Sequence, residues 1–168
     1  MTGTIREVRL SDARAIADIY NYYIEHTTVT YETEPVTAGE MERRIRDISE
    51  GHPYLVYEDD GVVTGYCYAH PWKVRAAYRH TFETTIYLDH RVMHHGIGRQ
   101  LMARLTDMCR ERGCHVLIAC VTDENAESHA FHLRLGFRLA GHYEQVGRKF
   151  GRWIGIDDFE LILPDSSR

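Results

Sequence analysis

The sequence predicts an α/β protein of the α+β type, a mixed and mainly antiparallel sheet flanked by helices. Three observations lead there. Strand-like segments with a two-residue period open the chain and recur as a consecutive run in its middle. Helix-period segments then separate the later strands one at a time. A length of 168 residues, 43% hydrophobic and 27% charged, suits one domain that can bury a core.

Each element follows from its own residues. Ile5 to Leu10 alternates apolar and charged side chains, as a half-buried strand does. Ser11 or Asp12 is positioned to cap a helix whose apolar stripe holds Ala13, Ile16, Ile19, Tyr20 and Tyr23. Thr37-Ala38-Gly39-Glu40 is a capping-box pattern ahead of a second helix with Met41, Ile45 and Ile48. Tyr54 to Tyr57 and Val62 to Tyr68 read as strands around a turn at Asp59-Asp60-Gly61. His70 to Tyr78 contains Pro71 and has no period, which predicts a loop. Thr81 to Leu88 returns to strand composition. Gly98 to Arg112 has Leu101, Leu105 and Met108 at helical spacing, with Gly113 at its end. A strand over His115 to Val121, a helix over Ala126 to Leu135 ended by Gly136, and strands over Phe137 to Tyr143 and Ile154 to Leu163 complete the chain. The order β-α-α-β-β-β-α-β-α-β-β does not alternate throughout, as a doubly wound nucleotide fold would. One domain over residues 1–163 and a short tail over 164–168 are expected.

Composition excludes several roles. A formal net charge of −5 argues against a nucleic-acid surface. No apolar run approaches the ~20 residues of a spanning helix, and the first residues lack a secretory pattern. A cytoplasmic protein with neither nucleic-acid nor membrane partner is expected. Cys67, Cys109, Cys114 and Cys120 form no CxxC pair, which fits reduced thiols. Cys109, Cys114 and His115 straddle a helix end and a strand start rather than showing paired zinc spacing. His90, His94 and His95 would share a face only on a helix, and Gly96 argues against one. No metal is expected.

Gly96-Ile97-Gly98 follows a strand and opens a helix, whose first N–H groups lack intrahelical partners and carry the positive end of the macrodipole. Glycine lets an anion approach that backbone, and Arg99 adds a charge-assisted contact. The Rossmann pattern would need glycine where Leu101 stands, and the P-loop lysine is absent. A glycine turn without a ligand remains the alternative on this stretch alone.

This strand–loop–GxG–helix stretch resembles the acyl-CoA pyrophosphate loop of the GNAT N-acetyltransferases. Asn125-Ala126 and the helix ending Leu133-Arg134-Leu135-Gly136-Phe137 are similar to that superfamily's second cofactor segment. Pro71-Trp72-Lys73-Val74-Arg75-Ala76-Ala77-Tyr78, Glu83-Thr84-Thr85-Ile86-Tyr87-Leu88 and the stretch from Gln145 to Trp153 resemble the phosphinothricin and methionine sulfoximine/sulfone acetyltransferase branch. The likeness runs from Ile5 to about Leu163. One departure is Met93, three residues before Gly96, where the superfamily usually has Gln or Arg. A pyrophosphate contact is lost there or supplied by His94 or His95, while the main-chain cradle does not depend on it.

The resemblance implies acetyl-CoA as co-substrate and a small amino-acid-like molecule as acceptor. It implies Glu83 as general base, and His132 as the histidine that this branch places four residues before the helix-ending glycine. A desolvated carboxyl with a raised pKa suits the first role, and an imidazole near pKa ~6.5 suits proton donation or relay. Cofactor contacts are implied at Ile86, Tyr87, Leu88, His94, His95, Gly96, Ile97, Gly98, Arg99 and Asn125. Acceptor contacts are implied at Tyr31, Trp72, Lys73, Val74, Arg75, Tyr78, Glu83, Thr84 and Thr85. Lys73 and Arg75 beside Trp72 and Tyr78 suit a small anion such as a carboxylate or phosphinate. Direct transfer is favoured over a cysteine acyl-enzyme, and a homodimer is expected. The alternatives are acetylation of a protein N-terminus or polyamine, and a non-catalytic acyl-CoA-binding module.

Overall fold

The computed structural model describes residues 3–92 and 95–164. Met93 and His94 lie outside them, and so do the expectations placed on those two residues. The strands are β1 (Thr4–Glu7), β2 (Tyr54–Asp59), β3 (Val62–Pro71), β4 (Thr81–Leu88), β5 (Val116–Thr122), β6 (Arg138–Lys149) and β7 (Arg152–Ile162). The helices are α1 (Ala13–His26), α2 (Ala38–Ser49), α3 (Ile97–Glu111) and α4 (Ala126–Arg134), in the predicted order. The strands form one sheet ordered β1-β2-β3-β4-β5-β7-β6. Among the described residues only the β4–β5 pair is parallel; the other five are antiparallel.

Two apolar clusters flank this sheet. On one face α1 and α2 bury Ile16, Ile24 and Ile45 against Val56 and Tyr66 of β2 and β3. On the other, α3 buries Leu101 and Leu105 against Leu55, Cys67 and Leu117. Burying an aliphatic side chain of this size contributes roughly 1.5–3 kcal/mol. Among the described residues the α1–α2 cluster takes sheet residues from β2, β3 and β4 only. Beyond β4 that face is crossed by the connection after α1: the Thr122 hydroxyl donates to the Thr28 carbonyl, Lys149 Nζ to that of Thr30 and Tyr31 to that of Gly155.

Local chemistry explains the element ends. Asp60 and Gly61 both have positive φ (49° and 79°), the two-residue turn that suits a twisted hairpin. The Thr37 hydroxyl accepts from the Glu40 amide at 3.1 Å, as predicted, but Glu40 turns outward to Arg43 and Arg44 instead of closing the box. Asp12 does not cap α1. Its carboxylate takes two hydrogen bonds from Arg6 (2.8 and 2.9 Å) and one from the Arg9 amide (2.7 Å). Burial raises its pKa, but these donors outweigh that and hold it below the usual range. β1 ends at Glu7 rather than Leu10, because Leu10–Asp12 forms a 3-10 turn. β3 runs on to Pro71, whose missing N–H is tolerated in the last pair, opposite Phe82. β6 continues to Lys149 through register shifts that Gly141 and Gly147 accommodate.

Candidate active site

β4 and β5 pair only at Thr81↔Val116, Phe82↔Leu117 and Glu83↔Ile118. Each strand then follows its outer neighbour: β4 stays on β3 as far as Leu88, and β5 stays on β7 as far as Thr122. The sheet therefore forks after Glu83. The Thr84 hydroxyl spans the fork, donating to the Ile118 carbonyl at 3.2 Å. Within the fork lies a cavity of about 530 Å³, walled by Glu83 to Leu88 of β4, Ala119 to Val121 of β5, the start of α3 and one side of α4. The β4 backbone facing this gap has lost its β5 partner, which leaves a sheet edge able to pair with an extended amide-bearing ligand.

The two glycines of the α3 entrance have different jobs. Gly96 sits at the N-cap with φ 76°, a left-handed conformation, and the space around it is open. Gly98 is buried, and a Cβ there would lie 3.3 Å from the Phe131 ring of α4. Gly98 thus lets α4 approach, a packing reason that the GxG pattern alone did not reveal. Gly96, Gly98, Arg99 and Arg134 all line the cavity, joining helix N–H groups to two cations. On α4, the Asn125 side chain accepts from the Ser128 amide at 3.1 Å, so Asn125 both caps the helix and faces the cavity.

His132 is 4% exposed and borders the cavity. Its Nδ1 lies 2.8 Å from the Ser128 carbonyl, an acceptor, so Nδ1 carries the proton and Nε2 keeps a lone pair. Phe131, Phe137 and Phe159 surround the ring. Burial lowers its pKa, and the bond to Ser128 offsets this only in part. Glu83 shows the opposite shift. It stands across the β3–β4 pair from His70, whose Nε2 is 3.9 Å from Glu83 Oε1. Burial raises the Glu83 pKa, His70 opposes and Asp158 adds to the rise. The fork thus holds a carboxyl pushed toward neutrality and an imidazole kept neutral.

Cys120 lines the same cavity, yet burial, Asp158 and Glu83 push its thiol up to about 12. A thiol so fully protonated is a poor acyl acceptor.

Of the residues expected at the site, Glu83 to Leu88, Gly96, Gly98, Arg99, Asn125 and His132 converge on the cavity. Ile97, the first residue of α3, is buried in the core, while His95 is exposed and off the cavity wall. The loop after β3 stays outside. Lys73 Nζ lies 3.9 Å from the centre of the Trp72 ring, which meets Tyr78 edge-on, and Val74 and Arg75 are exposed. Tyr31 is wedged beneath the β6–β7 hairpin, its ring against Gly147 and its hydroxyl 2.6 Å from the Gly155 carbonyl. Cavity residues that the sequence did not assign to the site include Cys120, Ser128 and Phe131, while Arg134 was marked only as part of the second cofactor segment. Ser128, one helical turn before His132, was the signal available. Among the described residues, no group of three or more metal-ligating side chains gathers, and no helix is long and apolar enough to cross a membrane.

The class of protein follows from the comparison with known families: residues 5–156 match the GNAT acetyltransferase domain. The chain belongs to the GNAT acetyltransferases. It is 37% identical to a phosphinothricin N-acetyltransferase of Streptomyces viridochromogenes, covering 95% of this chain and 90% of that protein. It is 36% identical to an L-methionine sulfoximine/L-methionine sulfone acetyltransferase of Salmonella typhimurium, over 96% of this chain and 95% of the relative. A phosphinothricin acetyltransferase from Sinorhizobium meliloti, solved in complex with AcCoA, superposes with a TM-score of 0.93 at 35% identity, covering 99% of this chain and 91% of its own.

Proposed function

We propose that this enzyme transfers acetyl from acetyl-CoA to the α-amino group of a small amino-acid analogue of the phosphinothricin, methionine sulfoximine or methionine sulfone type. The fork beyond Glu83, with its exposed β4 edge and its glycine-opened helix, is the observation that carries this reading. The cavity suits the donor. The β4 edge from Thr84 to Leu88 would receive the amides of its pantetheine arm, with backbone N–H groups of Ile86 to Leu88 near the thioester carbonyl. Gly96, Gly98, Arg99 and Arg134 would hold its pyrophosphate, and Asn125 would line the arm between them. Acetyl-CoA supplies an activated acyl group with a thiolate as leaving group.

The chain's own residues manage the protons. Glu83 removes the first proton from the acceptor's ammonium, directly or through water, and releases it to solvent. The freed amine attacks the carbonyl carbon, the new C–N bond forms and the C–S bond breaks. His132, neutral with an open Nε2, accepts the surplus proton from the nitrogen and returns it to the departing sulfur. The Cys120 thiol stays out of the reaction, in keeping with direct transfer.

CoA release measured with L-methionine sulfone, methionine sulfoximine and phosphinothricin tests this. Turnover of at least one well above the donor-only rate is expected. Background rates with all three, beside turnover of a polyamine or an N-terminal peptide, would move the enzyme to another acceptor class. Tight acetyl-CoA binding with no turnover of any acceptor would favour a binding module.

We further propose a homodimer. β6 is an edge strand carrying exposed Leu139, Tyr143 and Val146, with Phe150 and Trp153 at the hairpin tip. Such an edge invites pairing unless it is covered, and a second copy supplies the same apolar surface. Trp153→Asp should shift the sedimenting species to a monomer, and an unchanged species would rule this surface out. A cytoplasmic setting, where thiols stay reduced, suits the four free cysteines.

A further inference from the structure

The two helices that wall the cavity are seated in different ways. α3 buries Leu101, Met102, Leu105 and Met108, an apolar stripe that fixes it to the sheet. α4 has nine residues and, among the described residues, His132 is the one it fully buries. Phe131 adds a partly buried ring, but the contacts with β7 come from two histidines one turn apart. His129 meets the Phe159 ring edge-on at 5.1 Å, and His132 stacks on the same ring at 6.1 Å.

Polar contacts supply what the apolar stripe lacks. His129 Nε2 lies 3.1 Å from the Thr122 carbonyl and 3.3 Å from Asp157 Oδ2. A carbonyl can only accept, so Nε2 carries the proton. Asp157 stands on β7 and is 8% exposed, and its other oxygen lies 2.6 Å from Nδ1 of His142, its partner across the β6–β7 pair. Two imidazoles thus serve a carboxyl whose burial would otherwise be costly. The Thr122 carbonyl also accepts the Asn125 amide at 2.9 Å, and Asn125 caps α4. The end of β5 and one carboxyl of β7 therefore hold the first turn of α4. Hydrogen bonds are directional and hydrophobic burial is not, so this seat fixes the rotation of a short helix as well as its contact area.

His129, Asp157 and His142 stand off the cavity wall, whereas α4 places Phe131, His132 and Arg134 on it, with Asn125 at its cap. We propose that Asp157 and His129 are positioning residues, which hold α4 in the pose where Asn125 and Arg134 receive the donor and His132 meets its sulfur. This inference rests on the acetyl-transfer reading of the same site.

The test measures acetyl-CoA Kd by calorimetric titration, and kcat and KM with the best of the three acceptors. The wild type is compared with His129→Leu, His129→Gln, Asp157→Asn and the double variant of His129→Leu with Asp157→Asn. His129→Leu removes the donor, and should raise the acetyl-CoA Kd and lower kcat by ~10-fold each, the size of one lost hydrogen bond. The acceptor KM should stay within ~2-fold, because Glu83 stands on β4 and not on α4. His129→Gln, whose amide nitrogen can take the place of Nε2, should remain within ~3-fold of the wild type in all three quantities. Asp157→Asn should raise the Kd as well, and the double variant should be little worse than the worse single one, as for partners in one contact. An unmoved Kd and kcat in His129→Leu beside a lower melting temperature would overturn the proposal and leave the pair merely structural. So would a His129→Gln as impaired as His129→Leu, or fully additive losses in the double variant. If His129→Leu does not fold, Asp157→Asn decides, and an unmoved Kd there overturns the proposal. Absence of wild-type turnover with every acceptor would remove the acetyl-transfer reading, while the Kd values still decide whether Asp157 and His129 seat α4 for the donor.

Discussion

The two halves of the sheet are built from similar residues and do different work. From β1 to β4 the strands pair in antiparallel register with helices packed on both faces, and side chains such as Ile16, Val56 and Leu101 are wholly enclosed. From β5 to β6 the sheet starts with a parallel pair that ends after three residues, and one of its faces has no helical cover among the described residues. The packed half supplies rigidity, while the forked half supplies an open strand edge and a cavity. Ionisable groups separate in the same way. Asp12 in the packed half is bonded by Arg6 and held as a carboxylate, whereas Glu83 at the fork is pushed toward its neutral form. A paired carboxylate adds stability, and an under-compensated one stores reactivity at some cost to stability.

Substitutions can break or sharpen this contrast, and the largest effect is expected at Glu83. Glu83→Gln should lower kcat by ~10²–10⁴-fold, the range for loss of a general base. It should also stabilise the protein at alkaline pH. The folded-state pKa of Glu83 is raised above 4.5, so the wild type loses stability as pH rises from that value through the folded pKa. Melting temperatures across pH 4 to 8 would check the sign, and a lower melting temperature for the variant at pH 8 would contradict it.

In the packed half, Ile16→Ala should cost about 2–5 kcal/mol in denaturant unfolding, as large-to-small changes in a closed core do. The acetyl-CoA KM of the folded fraction should not move. A changed KM with unchanged stability would mean that the two halves are not separable.

Gly98→Ala probes the seam between the cofactor helices. Its methyl group would press on Phe131, and acetyl-CoA binding should weaken ~10-fold, consistent with about 1–3 kcal/mol for overpacking. Phe131→Leu in the same chain should restore most of the affinity. Calorimetric titration of both variants would show this, and no rescue would place the role of Gly98 in the loop backbone alone.

The smallest effect concerns His132. Its folded-state pKa lies below 6.5, so stability is fully present above that value and declines as pH falls toward the folded pKa, where the buried ring must charge. His132→Gln should flatten this decline. A variant whose acid unfolding matches the wild type would remove His132 as its source.

Much of this was legible in the sequence, for physical reasons. Helix and strand order follow from local periodicity, and the Asp60-Gly61 turn and Gly113 cap depend only on their own φ values. Glu83, His132 and the Gly96–Gly98 loop were marked by spacing along single elements together with the family resemblance. What depended on register was hidden. The fork arises where β4 and β5 choose different partners, and nothing within either strand signals it. Asp158 looked like one of three acidic residues in a closing strand until the register set it opposite Cys120. The far end of β6, rich in polar residues and glycine, resembles a loop and becomes a strand only because β7 folds back upon it. Lys73 was expected in a pocket with Arg75, but the loop leaves Arg75 in solvent and ties Lys73 to two rings.

The contrast between a closed half and a forked half is tested most directly by amide hydrogen exchange with and without acetyl-CoA. Protection should rise over Thr84–Leu88, over Gly96–Gln100 and over the end of β5 from Ala119, while β1, β2 and the α1–α2 face stay unchanged. Protection spread evenly over the sheet, or absent from the β4 edge and the first turn of α3, would contradict entry of the cofactor at the fork.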